Sequence, residues 1–325
     1  MQVQLTTPEG VTATITDLSQ LTAPYWVDID GSDLDTSALD ALLTGTFGVH
    51  PLAVESALEG NQRPRIDDYD DLSHVVAIGL SDDGANLFEV HLFVSEKGLV
   101  SLHRGPSGVF DRVRKRLASH HVNNTAPAPI VMTYQLMDAL IDSYFPPLAT
   151  IDDTLDDLEA AILKDPNEEQ LAQLFALKKK IIAIRKAVNP QRDMIAALSS
   201  GVVSLPGMTD KGLDYFRSLY DHLIRINDLV DSYRDLVTGA LDTHLAMVNN
   251  RLNVVMKQLA IISTLFLPLG FLTGFFGQNF SWPINHWYSS GSGFAFIGIG
   301  LELVVLVLVF LLFKKRGWLK TGPVA

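Results

Sequence analysis

Two patterns of apolar residues divide the chain. Up to about residue 125, short β-rich runs alternate with turns: Tyr25 to Ile29, Ser73 to Leu80, Leu87 to Ser95 and Leu99 to His103. The last three are separated by DDGAN and EKG, whose Gly, Asn and Asp residues supply hairpin geometry, so these runs predict strands of one sheet. Helices are predicted over Asp35 to Thr44 and Pro51 to Leu58. From Ile130 the period changes. Apolar residues recur every three or four positions through Leu136, Leu140, Ile141, Tyr144, Leu148, Ile151, Leu155, Leu158 and Ile162, the spacing of a long amphipathic helix. A second helix is predicted after DPNEEQ, with Pro166 and Asn167 near its start, ending near Ser199. LPGM at 205–208 breaks the pattern, and no proline follows until Pro268. One helix is therefore expected from Lys211 to Phe276, about 100 Å long at roughly 1.5 Å per residue. That is too long for a globular core helix and predicts a stalk running from a water-facing domain into a membrane.

Two apolar segments near the C-terminus have the length of a bilayer span. Leu259 to Phe276 holds 18 residues without a charge, and Phe294 to Phe313 holds 20, interrupted only by Glu302. Either alone reads equally as a buried core helix. The pair, joined by a short polar loop and closed by KKRGW, reads as two spans. Lys314, Lys315 and Arg316 place the C-terminus on the cytoplasmic side. The N-terminal MQVQLTTPEGVTATITDL has neither the basic start nor the apolar run of a signal peptide, so both termini are expected in the cytoplasm. The expected location is the cell membrane, with the loop from Gln278 to Gly293 outside. Trp282, Trp287, Tyr288 and Trp318 read as interfacial anchors, and Lys257 as a lysine snorkelling at the inner boundary.

Charge sharpens this picture. Of 325 residues, 25 are Lys or Arg and 37 Asp or Glu, and residues 251–325 carry a net +5 while residues 1–250 carry −17. An acidic body joined to a basic apolar tail excludes a nucleic-acid binder, which needs a basic face. There is no cysteine, hence no disulfide, thiol nucleophile or thiolate metal site. No GxxxxGK[ST], GxSxG or HExxH occurs, so no enzyme and no cofactor is expected.

Along the long helix, small, polar or flexible residues fall on one stripe: Asp242, Asn249, Asn253, Met256, Ala260, Ser263, Leu267, Gly270, Gly274 and Gly277. After Asp242 the intervals are 7, then alternately 4 and 3, which keeps one face over many turns. A packed seam with small residues for close approach fits this spacing. So does a water-filled axis, and repeated Asn argues for the second, since such residues are costly in lipid but useful where an ion passes. Two spans per chain enclose no pore, so a channel would need several copies about an axis.

NRLNVVMKQLAIISTLFLPLGFLTGFFGQNF, Asn250 to Phe280, resembles the signature of the CorA-type metal ion transporters, whose members carry N-x-x-M-K-x-L-T, a proline in the first span and a terminal Gly-Met-Asn. FGVHPLAVESALEGNQRPRIDDYDD at 47–71, LKKKIIAIRKAVNPQRDMIAAL at 177–198, YFRSLYDHLIRINDLVDSYRD at 215–235 and KKRGWL extend the resemblance over most of the chain. It implies a homopentameric funnel with an α/β cytoplasmic domain (1–125), a cytoplasmic helical domain and stalk (126–258), and a pore-lining first span (259–279). An external loop (280–293), a second span (294–313) and a basic tail (314–325) follow. It implies transport of divalent cations, Mg2+ first and Co2+ or Ni2+ besides. The pore-lining positions by match are Asp242, Asn253, Met256, Leu259, Ser263, Leu267 and Gly270. Gly277, Gln278 and Asn279 form the outer mouth, with Asn279 and Asp242 as the residues that meet the metal.

The sequence also departs from that family. Gln278 replaces Met in the triplet, and the external loop NFSWPINHWYSSGSG carries no acid. Ser56 and Ser218 stand where magnesium-transporting members carry the acidic pair that senses divalent ions between subunits, which implies altered or absent sensor gating; Glu55 and Asp221 are the nearest substitutes. Two alternatives follow: a zinc transporter of the proton-coupled branch, or a non-conducting pentameric membrane scaffold or sensor. No His or carboxylate lies on the stripe between Asn249 and Asn279, which argues against dehydrated Zn2+ ligation there and is compatible with hydrated Mg2+. Glu302 reads as a proton-coupling residue or as a neutral carboxyl satisfied by a neighbouring helix. Asp152, Asp153, Asp156, Asp157 and Glu159 read as a solvated face or a cation-gathering patch, and His120 and His121 as surface loop.

Overall fold

The computed structural model describes residues 3–8, 11–14, 21, 23–32, 35–105, 108–119, 126–278, 281–286 and 290–318, without the side chains of 283, 284 and 294. His120, His121, Asn279, Trp287 and Tyr288 therefore lie outside the described residues. The chain divides into two compact units, residues 1–241 and 242–325.

The first unit holds a seven-stranded sheet. Its strands are β1 (Val3–Thr6), β2 (Thr12–Thr14), β3 (Tyr25–Asp30), β4 (Arg65–Tyr69), β5 (Leu72–Leu80), β6 (Leu87–Ser95) and β7 (Gly98–His103), in the order β2-β1-β3-β7-β6-β5-β4. Only β3 and β7 pair in parallel, because α1 (Thr36–Phe47) and α2 (Pro51–Glu59) intervene in the crossover; every other pair is antiparallel. Val27, Ile29, Phe93, Val100 and Leu102 form one core with Leu39 and Leu43 of α1 and with Ala53, Val54 and Ala57 of α2. Gly48 takes φ +66° and ends α1, a conformation open to glycine without a Cβ penalty. α3 (Gly108–Ser119) follows β7, and α4 (Ala128–Asp142) lies against β3, β5, β6 and β7. That approach is close enough at Gly79 that a Cβ there would meet Leu140 at 2.8 Å.

The expected strands appear, as do both short helices. The periodic run from Leu136 to Ile162 is instead two helices, α4 and α5 (Phe145–Lys164). Pro146 and Pro147 bring no N–H to an α-ladder, so the chain breaks at Ser143 and Tyr144. The break serves the sheet: Ser143 Oγ accepts from Leu80 N at 2.8 Å, and the Tyr144 hydroxyl donates to Ile78 O at 2.8 Å. β1, β2, β4 and α3 have no counterpart in the predicted elements. VQLT, TAT and RIDDY are too short or too polar to alternate visibly. α6 (Glu168–Ser199) opens with a capping box in which Asn167 Oδ1 accepts from Gln170 N at 3.0 Å and Gln170 Oε1 from Asn167 N at 3.1 Å.

α7 runs without interruption from Asp210 to Phe276, as expected from the lack of proline up to Pro268, and it continues through that residue. In the second unit it is followed by a short turn of helix, α8 (Ser281–His286), and by α9 from Gly291 to Lys315. α9 widens over Phe294–Ile299 into a π-helical stretch. α7 and α9 are both long and apolar enough to cross a membrane.

Candidate functional site

The part of α7 beyond Asp242 is mostly exposed, with one narrow half-buried ridge. Lys257, Ile261, Leu265, Pro268, Leu272 and Phe276 are half-buried and recur at three and four positions. Asp242, Asn253, Met256, Ser263, Leu267 and Gly270 follow the same period about half a turn around the helix, and all are exposed. Leu259 is also exposed, at the margin of that stripe. A Cβ added at Gly270 or Gly274 would touch nothing within 4 Å. The expected lining positions are thus among the many exposed residues of this helix.

The helix ends where the triplet begins. The Gly277 N–H donates to Thr273 O at 2.9 Å and the Gln278 N–H to Phe275 O at 3.2 Å, leaving both residues exposed past the last turn. One turn inside, Thr273 Oγ1 lies 2.9 Å from Leu269 O and 2.9 Å from Glu302 Oε1 of α9. Sequence spacing could not have found this partner, because 29 residues and a turn separate the two.

In the first unit, Ser56 and Ser218 are not equivalent. Ser218 is exposed on α7. Ser56 is buried on α2, where its Oγ accepts from the Arg65 guanidinium at 2.7 Å. Arg65 also donates to Asp67 Oδ2 at 2.7 Å and Gln62 Oε1 at 2.6 Å. Next to this cation, His74 Nε2 lies 3.0 Å from His91 Nδ1, and His91 Nε2 lies 2.7 Å from Glu89 Oε1. Burial first, then His91 and Arg65, hold the His74 imidazole down at about 3.

A second polar cluster joins α4 to α7. Single ligand atoms of Asp138, Asp142 and His222 all lie within 4.8 Å of one another. Arg116 of α3 donates to Asp138 Oδ2 at 2.6 Å and approaches Asp142 Oδ2 at 3.7 Å. Burial, then the Asp138 charge, push the Asp142 carboxyl up, against the pull of Arg116 and His222. Two carboxylates and an imidazole are a donor set for a divalent cation. Asp138 and Asp142 sit one helical turn apart in the sequence, but His222 is brought in only by the packing of α7.

Residues 22–315 match the family described as CorA-like Mg2+ transporter protein. The chain belongs to the CorA-like Mg2+ transporter family. It is 34% identical over 264 residues to the cobalt/magnesium transport protein CorA of Thermotoga maritima, covering 80% of this chain and 74% of that one. It is 33% identical over 267 residues to the putative metal ion transporter YfjQ of Bacillus subtilis, covering 81% of each. The fold superposes on the complete structure of the CorA magnesium transporter from Methanocaldococcus jannaschii with a TM-score of 0.84 at 19% identity, over 98% of this chain and 99% of that one. The CorA-like architecture expected from the sequence, an α/β domain with a long helix and apolar C-terminal helices, is the one found. The family is one of transporters and not of enzymes.

Proposed function

We propose that this chain is the subunit of a homopentameric membrane conduit for divalent cations, with Mg2+ as principal cargo and Co2+ or Ni2+ also carried. The observation that supports this reading is the stripe of small and polar residues along α7. Asn253, Met256, Ser263, Leu267 and Gly270 recur along one side of that helix and are exposed in the single chain. Five copies about an axis would turn that stripe inward. Amide and hydroxyl dipoles at Asn253 and Ser263 would then meet a hydrated ion, and Met256 and Leu267 would form apolar rings that gate by dewetting. Mg2+ keeps its waters reluctantly, which suits neutral oxygen ligands. Gly277, Gln278 and Asn279 would form the outer mouth and Asp242 the inner acid. Residues 1–258 and the basic tail would lie in the cytoplasm.

Gating is the part of the reading in which this chain differs from magnesium-transporting relatives. A serine bound to a fixed guanidinium offers a divalent ion no charge, so internal Mg2+ has little purchase at Ser56 and Ser218.

The test is uptake into liposomes holding the purified protein, with Mg2+, Co2+, Ni2+ and Zn2+ supplied separately, with and without a pH gradient. The expected result is Mg2+ uptake that high internal Mg2+ fails to shut. Zn2+ uptake that follows the pH gradient would replace this with the zinc reading. No flux of any ion through protein shown to be pentameric would leave a non-conducting scaffold.

A further inference from the structure

Glu302 is the only Asp or Glu between residues 243 and 325, and it sits in the first turn after the π-helical stretch Phe294–Ile299 of α9. There the Gly300 N–H bonds to Ala295 O, five residues back. Such a stretch rotates the side chains that follow it relative to an unbroken α-helix. In this chain the rotation delivers the carboxyl to α7, where Glu302 Oε1 lies 2.9 Å from Thr273 Oγ1. Thr273 in turn carries the end of the helix: its carbonyl accepts the Gly277 N–H at 2.9 Å. Two hydrogen bonds thus lead from the middle of one apolar helix to the first residue of the mouth triplet.

We infer that Glu302 is a positioning residue for the pore mouth, acting through Thr273 to set the last turn of α7 and with it Gly277 and Gln278. The inference rests on the transport reading for its consequence and on the geometry alone for its mechanism. A threonine hydroxyl has one proton, and Thr273 has two acceptors at 2.9 Å, Leu269 O and Glu302 Oε1. The hydroxyl ties the turn to α9 when its proton goes to Glu302 Oε1, so the tie needs an acceptor oxygen at that position. An amide supplies one as well as a carboxyl does, and an aliphatic side chain does not. Left with Leu269 O alone, Thr273 makes only the bond back to its own helix, and nothing ties the turn to α9.

Four variants separate the hydrogen bond from mere filling of space: Glu302→Gln and Thr273→Ser, which keep it, and Glu302→Leu and Thr273→Val, which remove it. Each is made in the full chain in lipid nanodiscs and liposomes, and two quantities are read. Hydrogen exchange at the Gly277 amide should speed up about fivefold in Glu302→Leu and Thr273→Val, the loss of roughly one hydrogen bond's worth of protection, and stay at the parental rate in Glu302→Gln and Thr273→Ser. Mg2+ uptake should fall in the first pair and persist in the second. If Glu302→Leu fails to assemble, Thr273→Val, nearly the same shape as threonine, carries the test. Parental exchange at Gly277 in the disrupting variants overturns the inference. So does a Glu302→Gln variant as impaired as Glu302→Leu, because the carboxylate itself and not the bond would then be required. A parental protein that conducts nothing yet shows the exchange pattern sinks the transport reading and leaves the positioning intact.

Discussion

His74 Nε2 and His91 Nδ1 lie 3.0 Å apart on adjacent strands, with both rings buried and His74 stacked on Phe93 at 4.9 Å between centroids. If His74 donates, His91 carries its own proton on Nε2, 2.7 Å from Glu89 Oε1. His74 Nδ1 is then bare and 3.7 Å from Asp67 Oδ2, too far for a hydrogen bond. A proton added at His74 Nδ1 finds no hydrogen-bond partner there.

Acid should therefore destabilise the first unit through this ring. The folded His74 titrates at about 3 against an ordinary 6.5. Below about pH 6.5 the unfolded chain takes a proton that the folded chain refuses, so stability is complete above that pH and drains away as the pH falls toward 3. The full window is worth up to about 5 kcal/mol, and about 2 kcal/mol of it is lost by pH 5. Thermal melts of the full chain should show a Tm that drops between about pH 7.5 and pH 5, and the drop should shrink by about 4–8 °C in His74→Phe. An equal drop in both proteins would show that other groups govern acid unfolding.

Asp28 is a buried carboxylate paired with Arg114. The Arg114 guanidinium bonds Asp28 Oδ2 and lies 5.5 Å over the Trp26 ring, while Ser101 Oγ donates to Asp28 Oδ1 at 2.6 Å and accepts from Trp26 Nε1 at 2.9 Å. Arg114→Met leaves the carboxylate buried without its cation and should cost about 3–5 kcal/mol. Adding Asp28→Asn should restore more than half of that loss, because the charge goes with its partner. Chemical denaturation of the three variants measures both. A double variant no better than the single one would mean that Arg114 acts through packing on Trp26.

The long-range order of the chain was legible because it rests on composition and period. Sixty-seven residues without a breaker stronger than Pro268 gave α7, and two apolar runs gave the spans. That the stripe residues share one side of α7 follows from spacing alone. What stayed hidden depends on contacts between distant segments. Asp28 meets Arg114 across 86 residues, Asp138 meets His222 across 84, and Thr273 meets Glu302 across 29 residues and a turn. The break at Ser143 was hidden differently: its apolar period continues through the two prolines, so only their missing N–H groups marked it.

Ser56 makes a prediction about Mg2+. Its hydroxyl is held by Arg65, and Ser218 is exposed on a different element, with no hydrogen bond between them among the described residues. A ligand stabilises a fold only if it binds the folded state, so millimolar Mg2+ should leave the protein's Tm and its resistance to proteolysis nearly unchanged at these positions. The double variant Ser56→Asp with Ser218→Asp should gain Mg2+-dependent protection if subunits meet there, and Mg2+ uptake by it should then slow as internal Mg2+ rises. Strong Mg2+ protection of the parental protein, surviving Asp142→Asn, would point to Glu55 and Asp221 as the divalent pair instead.

Leu267 and Leu272 offer the sharpest test of which face of α7 meets the ion. They share one helix, one side chain and nearly one depth, yet Leu267 is 73% exposed on the stripe and Leu272 is half-buried on the narrow ridge. Asparagine at Leu267 should wet an apolar ring and raise Mg2+ uptake severalfold, with the pentamer intact on size exclusion. Asparagine at Leu272 puts an amide where the chain packs on itself, so the assembly should weaken while the flux per surviving pentamer stays the same. A packed seam along the stripe predicts the reverse order, with Leu267→Asn dissociating the oligomer and Leu272→Asn tolerated. The two variants, measured side by side for flux and for oligomer stability, decide between a lined pore and a closed bundle without any assumption about which ion is carried.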